Sequence, residues 1–306
     1  MRVIKPVAVT PSVLTYSNVN AISAQKFDPA QRYAKGDRVQ VDARLYQSLQ
    51  DSNTGKDPAS RVNELWWVDA GPTNRWAMFD NEINTQTVVS ALPGAPTEIH
   101  VVLAPGMCNS LSLLELSGTE VEVSVTDGEY PGAPIQYQRV IALDNTIITD
   151  WYQYFFEPYT GLSEVTLTDL PPFGSARVTV VVRGNGRVAI GNVIAGTTHT
   201  LGQLQWGARV GINDYSKKST NDFGATTLVR RAYSKRAEVR LMIDTDNLER
   251  VHRLLSEIRS TVCLWIGAAQ DARMSPLNIL GFYKEFNIDI AIFNRNYCTL
   301  SLEGMI

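Results

Sequence analysis

The feature that most constrains the fold of this chain is a series of short, alternating runs of β-branched residues over residues 81–196. In one run, Val121, Val123 and Val125 point to one side of a strand while the polar residues between them point to the other. Turn sequences such as Pro-Gly, Asp-Gly and Gly-Asn-Gly separate these runs. Short strands at this spacing predict a β-sandwich or jelly roll in a chain that is mainly β.

The predicted strands of this region are Thr87–Ser90, Glu98–Leu103, Ser110–Leu116, Glu120–Thr126, Arg139–Leu143, Tyr152–Phe156, Glu164–Leu167, Ala176–Val182 and Arg187–Gly191. Gly184–Gly186 superficially resembles a nucleotide-binding loop. It leads into a strand and so has no helix N-terminus to offer a phosphate. We therefore predict a hairpin turn there.

Residues 197–306 predict an α+β domain with one helix packed on a sheet. The predicted helix is Asp246–Ser260, with Asp246 as N-cap and Glu249 completing a capping box. Its apolar face consists of Leu248, Val251, Leu254, Leu255 and Ile258. The predicted strands around it are Arg236–Ile243, Val262–Gly267, Ile279–Asn287 and Tyr297–Leu302.

Residues 1–26 contain Pro6 and Pro11 and have no clear hydrophobic period, so they predict an N-terminal arm. Such an arm becomes ordered only when a partner or a neighbouring subunit holds it. The predicted organisation is an arm over 1–26, a small module over 27–80, a β-sandwich over 81–196 and an assembly domain over 197–306.

Composition and motifs argue against several classes of protein. The net charge of −3 is spread along the chain without a basic domain, so we expect no nucleic-acid binding. Cys108, Cys263 and Cys298 form no Cys-x-x-Cys pair and are predicted to be buried thiols in a protein made in a reducing cytoplasm. The most apolar short run, Val178–Val182, is too short to span a membrane, so no membrane insertion is expected, and no export signal is recognised.

Catalysis has little support in the sequence. His100, His199 and His252 are isolated, and neither a nucleophile elbow nor a zinc-binding HExxH motif is present. Carboxylates are plentiful, but a glycosidase pair must lie about 5–10 Å apart, which a sequence does not reveal. We expect no enzymatic activity, no cofactor and no metal.

The strongest chemical signal is the cluster of aromatic residues within residues 27–80. Arg38–Val41 and Leu45–Leu49 are predicted strands, and so small a module needs aromatic side chains in its core. Aromatic faces also stack on sugars, and adjacent Trp66 and Trp67 on a strand would point one ring to the core and one to a ligand. The candidate glycan-binding residues are Tyr33, Tyr46, Trp66, Trp67 and Trp76, with polar partners among Asp37, Asn53, Asp57, Asn63 and Asp69. The alternative for each ring is a structural place in the core.

The segments Tyr33–Val39, Arg44–Leu49, Asn53–Pro58 and Trp66–Val68 follow a Y-x-x-G-D-x-V…Y…N…P…W pattern. In this pattern the module resembles the small chitin-binding-type carbohydrate-binding modules. The resemblance implies a three-stranded unit with exposed aromatic residues and no catalysis.

The stretches Gly71–Asp80, Tyr215–Tyr233, Ser275–Lys284 and Tyr297–Gly304 resemble bacteriophage virion proteins in which such a module precedes a β-sandwich, here of the jelly-roll or galactose-binding-like type. This resemblance implies a structural protein of the tail tip or baseplate, made in the host cytoplasm and located at the tail end of the virion. Its expected partners are other tail proteins, further copies of itself in a trimeric or hexameric ring, and host surface glycans. The alternative is a stand-alone glycan-binding adhesin or an accessory module of a carbohydrate-active system.

Overall fold

The structure is a computed structural model that describes residues 1–129, 132–144, 150–156, 161–220, 223–224, 226–267, 276–292 and 294–306. The fold is mainly β, which confirms the class predicted from the alternating runs. Among the described residues the sheets are antiparallel except for one two-residue parallel pair.

In chain order the strands are β1 (Arg2–Pro6), β2 (Leu14–Ser17), β3 (Gln25–Lys26), β4 (Arg38–Val41), β5 (Arg44–Ser48), β6 (Trp67–Pro72), β7 (Thr87–Ser90), β8 (Pro96–Leu103), β9 (Ser110–Leu114), β10 (Glu120–Asp127), β11 (Ile135–Ala142), β12 (Val165–Leu167), β13 (Ala176–Asn185), β14 (Arg187–Ile190), β15 (Asn192–Thr200), β16 (Gln203–Leu204), β17 (Arg209–Asp214), β18 (Lys217–Thr220), β19 (Thr226–Val229), β20 (Tyr233–Asp244), β21 (Cys263–Ile266), β22 (Ile279–Ile292) and β23 (Arg295–Gly304). The helices are α1 (Trp151–Phe156) and α2 (Leu248–Glu257), and 3-10 turns occupy Arg61–Asn63, Ala77–Phe79 and Thr245–Asn247.

A β-sandwich forms the centre of the molecule. One layer is a five-stranded sheet in the order β11-β10-β13-β8-β2. The facing layer contains β12, β9 and β15, together with the β7–β14 pair. Val121, Val123 and Val125 are fully buried between the layers, as their alternation predicted. The polar residues that alternate with these valines on β10 lie on the outer face of the five-stranded sheet.

The N-terminal segment is part of these sheets and not a separate arm. Strand β1 lies between β15 and β21, with Val3 opposite both His199 and Trp265. Val3 and Ile4 are fully buried. Strand β2 pairs with β8 at the edge of the five-stranded sheet. The expectation of an arm ordered only by a partner is therefore wrong for these strands, because the chain's own sheets supply their hydrogen bonds.

Strand β1 also joins the sandwich to the C-terminal region. The sheet that contains it has the order β12-β9-β15-β1-β21-β22-β23-β20-β16, and β17 also pairs with β20. Strand β15 crosses the predicted boundary between residues 196 and 197. The domain boundaries themselves remain predictions.

From β20 onwards the C-terminal region has the predicted order of strand, helix and three strands, whereas β16 to β19 before it were not predicted. Helix α2 buries Val251 and Leu255, and Ile258 just beyond it, against a core that includes Trp265. The predicted cap is wrong in detail. Asp246 lies inside the 3-10 turn, Asn247 precedes the helix, and neither helix start has a side-chain capping hydrogen bond.

Two further local predictions are corrected. Residues Trp151–Phe156 form helix α1 and not the predicted strand, since a short apolar run does not distinguish the two by periodicity. The predicted hairpin turn at Gly184–Gly186 is wrong: Gly184 and Asn185 end β13, and β14 after Gly186 pairs with β7 and not with β13. The chain changes sheets at Gly186, which has a φ of +90°. No helix in the described residues is long and apolar enough to cross a membrane.

Candidate functional site

The aromatic module is a small sheet of β4, β5 and β6, extended by the two-residue parallel strand β3. Its core contains Tyr33, Val39 and Trp67, with Phe27, Tyr46 and Trp66 packed against them. All of these side chains therefore share one core.

Tyr33 and Trp67 are structural residues of this core, with exposed fractions of only 2% and 3%. Their ring centroids lie 5.4 Å apart in an edge-to-face arrangement, and the ring of Phe27 contacts both. Trp67 Nε1 donates a hydrogen bond of 2.8 Å to the Lys56 carbonyl, and the Tyr33 hydroxyl is bonded to the main chain of Asp28. Neither ring presents a face to a ligand.

Trp66 and Tyr46 remain accessible in part. Trp66 precedes the first residue of β6, so the expectation that Trp66 and Trp67 point to opposite faces of one strand is wrong. Lys56 Nζ lies 5.6 Å from the centroid of the Trp66 ring. Burial and the nearby Asp69 carboxylate raise the pKa of Tyr46. The predicted glycan surface of the module is thus reduced to parts of two rings.

Trp76 lies in the junction between the module and the sandwich. Its ring contacts that of Phe79 with a centroid distance of 5.9 Å, and the neighbouring Met78 is fully buried in the sandwich core. An open cavity of 760 Å³ adjoins this junction, and none of the five predicted rings lines it. The structure does not bring Trp76 together with the rings of the module core.

The polar side chains predicted as sugar partners take part in the module's own turns. Asn53 is buried and donates to Ser48 Oγ, and Asp69 forms an ion pair with Arg44 at 2.6 Å. The remaining three contacts join Asp37 to the Ala34 amide, Asp57 to the Ala59 amide, and Asn63 Nδ2 to the Asp57 carbonyl.

A second candidate surface lies on the outer face of the five-stranded sheet. It is a groove of 570 Å³ lined by Thr15, Tyr16, His100, Val102, Glu122, Ser124, Thr126, Glu129, Ile135, Arg177, Thr179, Val181 and Arg183. The register of the strands places these residues in rows. One row runs from Ser124 through Thr179 and Val102 to Tyr16, and the next contains Glu122, Val181 and His100.

Arg183 organises one end of this groove. Its guanidinium donates to Glu120 at 2.9 Å and to Glu122 at 2.8 Å, and it lies 3.7 Å from Glu98. Glu122 also accepts a hydrogen bond of 2.7 Å from Gln138. These hydrogen bonds, from Arg183 first and Gln138 second, lower the pKa of Glu122. Several polar groups are thereby held in fixed positions.

An aromatic residue forms the opposite side of the groove. Tyr16 is 50% exposed, and its ring packs in a T-shaped arrangement with that of His100 at a centroid distance of 4.9 Å. The main chain of His100 is bonded to Asn18, which ties β2 to β8. Tyr16 therefore offers a half-open aromatic face on an ordered strand.

Sequence reasoning missed this groove because its residues are distant in the chain. Tyr16 lies in the segment predicted to be an arm, and Glu122 and Arg183 become neighbours only through the pairing of β10 with β13. The one sequence signal for this surface was the alternation within Glu120–Thr126, which places polar side chains on the outer face of the strand. Among the described residues no group of three or more His, Cys, Asp or Glu side chains is arranged to hold a metal ion.

Comparison with known proteins yields little. No family model matches the sequence, and no curated protein matches it. Among solved structures, the chain is similar to the F5/8 type C domain of a Bacteroides fragilis protein, with 15% sequence identity and a TM-score of 0.28. The match covers 42% of this chain and 82% of that one. A similarity of this degree does not extend to function.

Proposed function

We propose that this chain is a structural component of a bacteriophage tail tip or baseplate. In this proposal it assembles into a symmetric ring and presents a glycan-binding module to the host surface. The resemblance of residues 33–68 to chitin-binding-type modules supports the glycan part, and the resemblance of the junction and C-terminal stretches to virion proteins supports the location.

The β18–β19 hairpin is the observation that carries the assembly part of the proposal. Every residue of both strands is exposed, and Leu228 is 71% exposed. A two-stranded hairpin without a core on either face is marginally stable in water. Contacts with a neighbouring subunit would bury its apolar residues and stabilise it.

Strand β17 adds a second surface suited to assembly. It pairs with β20, and no other strand of the described residues pairs with it. Val210 and Ile212 are 47% and 57% exposed on this strand. An exposed edge strand with apolar side chains is a template for pairing with another chain.

In the module, Trp66 and Tyr46 are the residues proposed to contact a glycan, since Tyr33 and Trp67 are buried. Two partly covered rings would bind a sugar weakly. Many copies in a ring would convert weak binding into useful avidity.

Labelling of virions with an antibody tests the proposed location. We expect gold-labelled antibody to cluster at the tail end of particles purified from a lysate of the phage that encodes the chain. Particles that contain neither the label nor the protein would contradict the proposal.

Light scattering on the purified chain distinguishes the proposed ring from the alternative, a stand-alone adhesin. A trimer or hexamer that dissociates when residues 217–229 are replaced by a short turn supports the ring. A monomer that binds glycans and is absent from virions would favour a stand-alone adhesin.

A further inference from the structure

We infer that the groove on the outer face of the five-stranded sheet is a binding site for a neutral saccharide or a similar polyhydroxylated ligand. This site lies on the sandwich and involves none of the aromatic residues of the module. It does not depend on the proposed function. Its volume of 570 Å³ lies within the range of about 300–1,000 Å³ that is usual for small-molecule sites.

The groove combines an apolar platform with a polar wall, which is the combination that a sugar requires. Tyr16 supplies an aromatic face that is half exposed and is positioned by its T-shaped contact with His100. Val102 and Val181 form apolar parts of the floor. The apolar face of a pyranose ring can stack on such a tyrosine while its hydroxyl groups point away from it.

The polar wall is already ordered by internal hydrogen bonds. Arg183 holds Glu120 and Glu122 at hydrogen-bond distance, and Gln138 holds Glu122 from the other side. Of this network, Glu122 and Arg183 line the groove. Carboxylate oxygens accept more than one hydrogen bond, so Glu122 retains capacity for hydroxyl donors. A ligand therefore meets an acceptor whose position needs no reordering, which lowers the entropic cost of binding.

The hydroxyl groups of Ser124 and Thr179 add further donors and acceptors along the floor, directly opposite each other on β10 and β13. A polyhydroxylated ligand can pair with each of these groups, whereas an apolar ligand would leave them without partners.

The charges of the groove favour a neutral ligand over an acidic one. Both of its guanidinium groups have carboxylate partners: Arg183 contacts three glutamates, and Arg177 lies 3.8 Å from Glu129. An acidic sugar would approach these carboxylates without an unpaired cation to receive it. Glycan acids are therefore expected to bind more weakly than neutral oligomers.

The same charges favour binding over hydrolysis. A glycosidase needs one carboxylic acid with a raised pKa to protonate the leaving group. The hydrogen bonds of Arg183 and Gln138 instead keep Glu122 ionised. Glu122 is therefore not arranged as a general acid, and the groove is proposed to recognise an intact saccharide.

Calorimetric titration of the full chain tests this inference. The probes are neutral oligomers of glucose, mannose, galactose and N-acetylglucosamine, together with an oligogalacturonate. We expect at least one neutral oligomer to bind and the acidic oligomer to bind more weakly or not at all. Tyr16→Ala and Glu122→Gln are each expected to weaken the binding of the neutral oligomer by about tenfold or more.

Matched variants keep the test specific. Tyr152→Ala and Trp206→Ala each remove an exposed aromatic ring that belongs neither to the groove nor to the module. Both should leave binding at the groove unchanged, and circular dichroism should show that all four variants are folded. Absence of binding by every neutral oligomer, preference for the acidic one, or binding that survives Tyr16→Ala and Glu122→Gln in a chain that also carries Trp66→Ala would overturn the inference.

Discussion

The aromatic module and the β-sandwich use their side chains in opposite ways. The module has few residues, so Tyr33 and Trp67 fill its core and only parts of Phe27, Tyr46 and Trp66 reach solvent. The sandwich buries a large aliphatic core between two layers. Its outer sheet face is therefore free to carry Tyr16 and a network of charged groups. A cluster of aromatic residues in a small unit is thus better evidence of a core than of a binding surface.

The largest expected effect is a loss of stability of the β-sandwich when β1 is removed. Deletion of residues 1–6 removes β1 from between β15 and β21, so we expect the chain to lose its cooperative unfolding transition or to become insoluble. Ile4→Ala is the milder variant, with an expected loss of about 2–5 kcal/mol in the free energy of unfolding. Lys5→Ala is the control, because its ion pair with Glu257 is exposed and surface ion pairs contribute little to stability. A soluble deletion variant with an unchanged thermal transition would show that β1 is a dispensable arm.

The next effect concerns the module alone. Trp67→Ala removes a ring that is 3% exposed, with an expected cost of about 3–5 kcal/mol, which is enough to unfold so small a unit. Limited proteolysis should then cleave within residues 27–80 while the sandwich stays intact. Trp66→Ala is the matched control and should leave the module resistant. Equal sensitivity of the two variants would break the distinction between core ring and surface ring.

A pH titration of stability tests the contact between Arg183 and Glu122 on the outer face of the sheet. The pKa of Glu122 is lowered in the folded chain, so the stability it contributes is complete above its unfolded pKa and is lost as pH falls through the lower folded pKa. We expect the melting temperature of the unmodified chain to fall between about pH 5 and about pH 3 more steeply than that of Glu122→Gln. Glu64→Gln, in the module, serves as the control. Parallel curves for Glu122→Gln and the unmodified chain would mean that Arg183 does not hold this carboxylate.

The smallest expected signal is the reaction of the thiols. Cys108, Cys263 and Cys298 are buried, as predicted, and burial raises the pKa of each thiol to about 11. A disulfide reagent at about pH 8 should react only after the chain is unfolded. Since no cysteine lies in the module, Trp67→Ala should leave the thiols unreactive. Rapid reaction in that variant would mean that the module and the sandwich unfold together.

Local patterns predicted much of this fold. The alternation of Val121, Val123 and Val125 predicted a buried strand face, and the apolar stripe through Val251 and Leu255 predicted helix α2. Both patterns depend on neighbours in sequence, which is why they could be recognised. The place of β1 between β15 and β21 could not be predicted in this way. It depends on pairing with two strands that lie far away in the sequence.

The candidate site was predicted less well for the same reason. Trp66 and Trp67 were recognised as an aromatic pair, but their burial depends on the 3-10 turn and on where β6 begins. The groove depends on strand register, which brings Tyr16 to Val102 and Glu122 to Val181. Register across distant strands leaves almost no trace in a single sequence.

The most direct test of the contrast between the two regions is hydroxyl-radical footprinting of the native chain, read by mass spectrometry. The structure predicts rapid oxidation of Tyr16, which is 50% exposed, and protection of Tyr33 and Trp67, which are 2% and 3% exposed, until the chain is unfolded. Oxidation of Tyr33 and Trp67 at the rate of Tyr16 would contradict the account and return the module's rings to consideration as the glycan-binding surface.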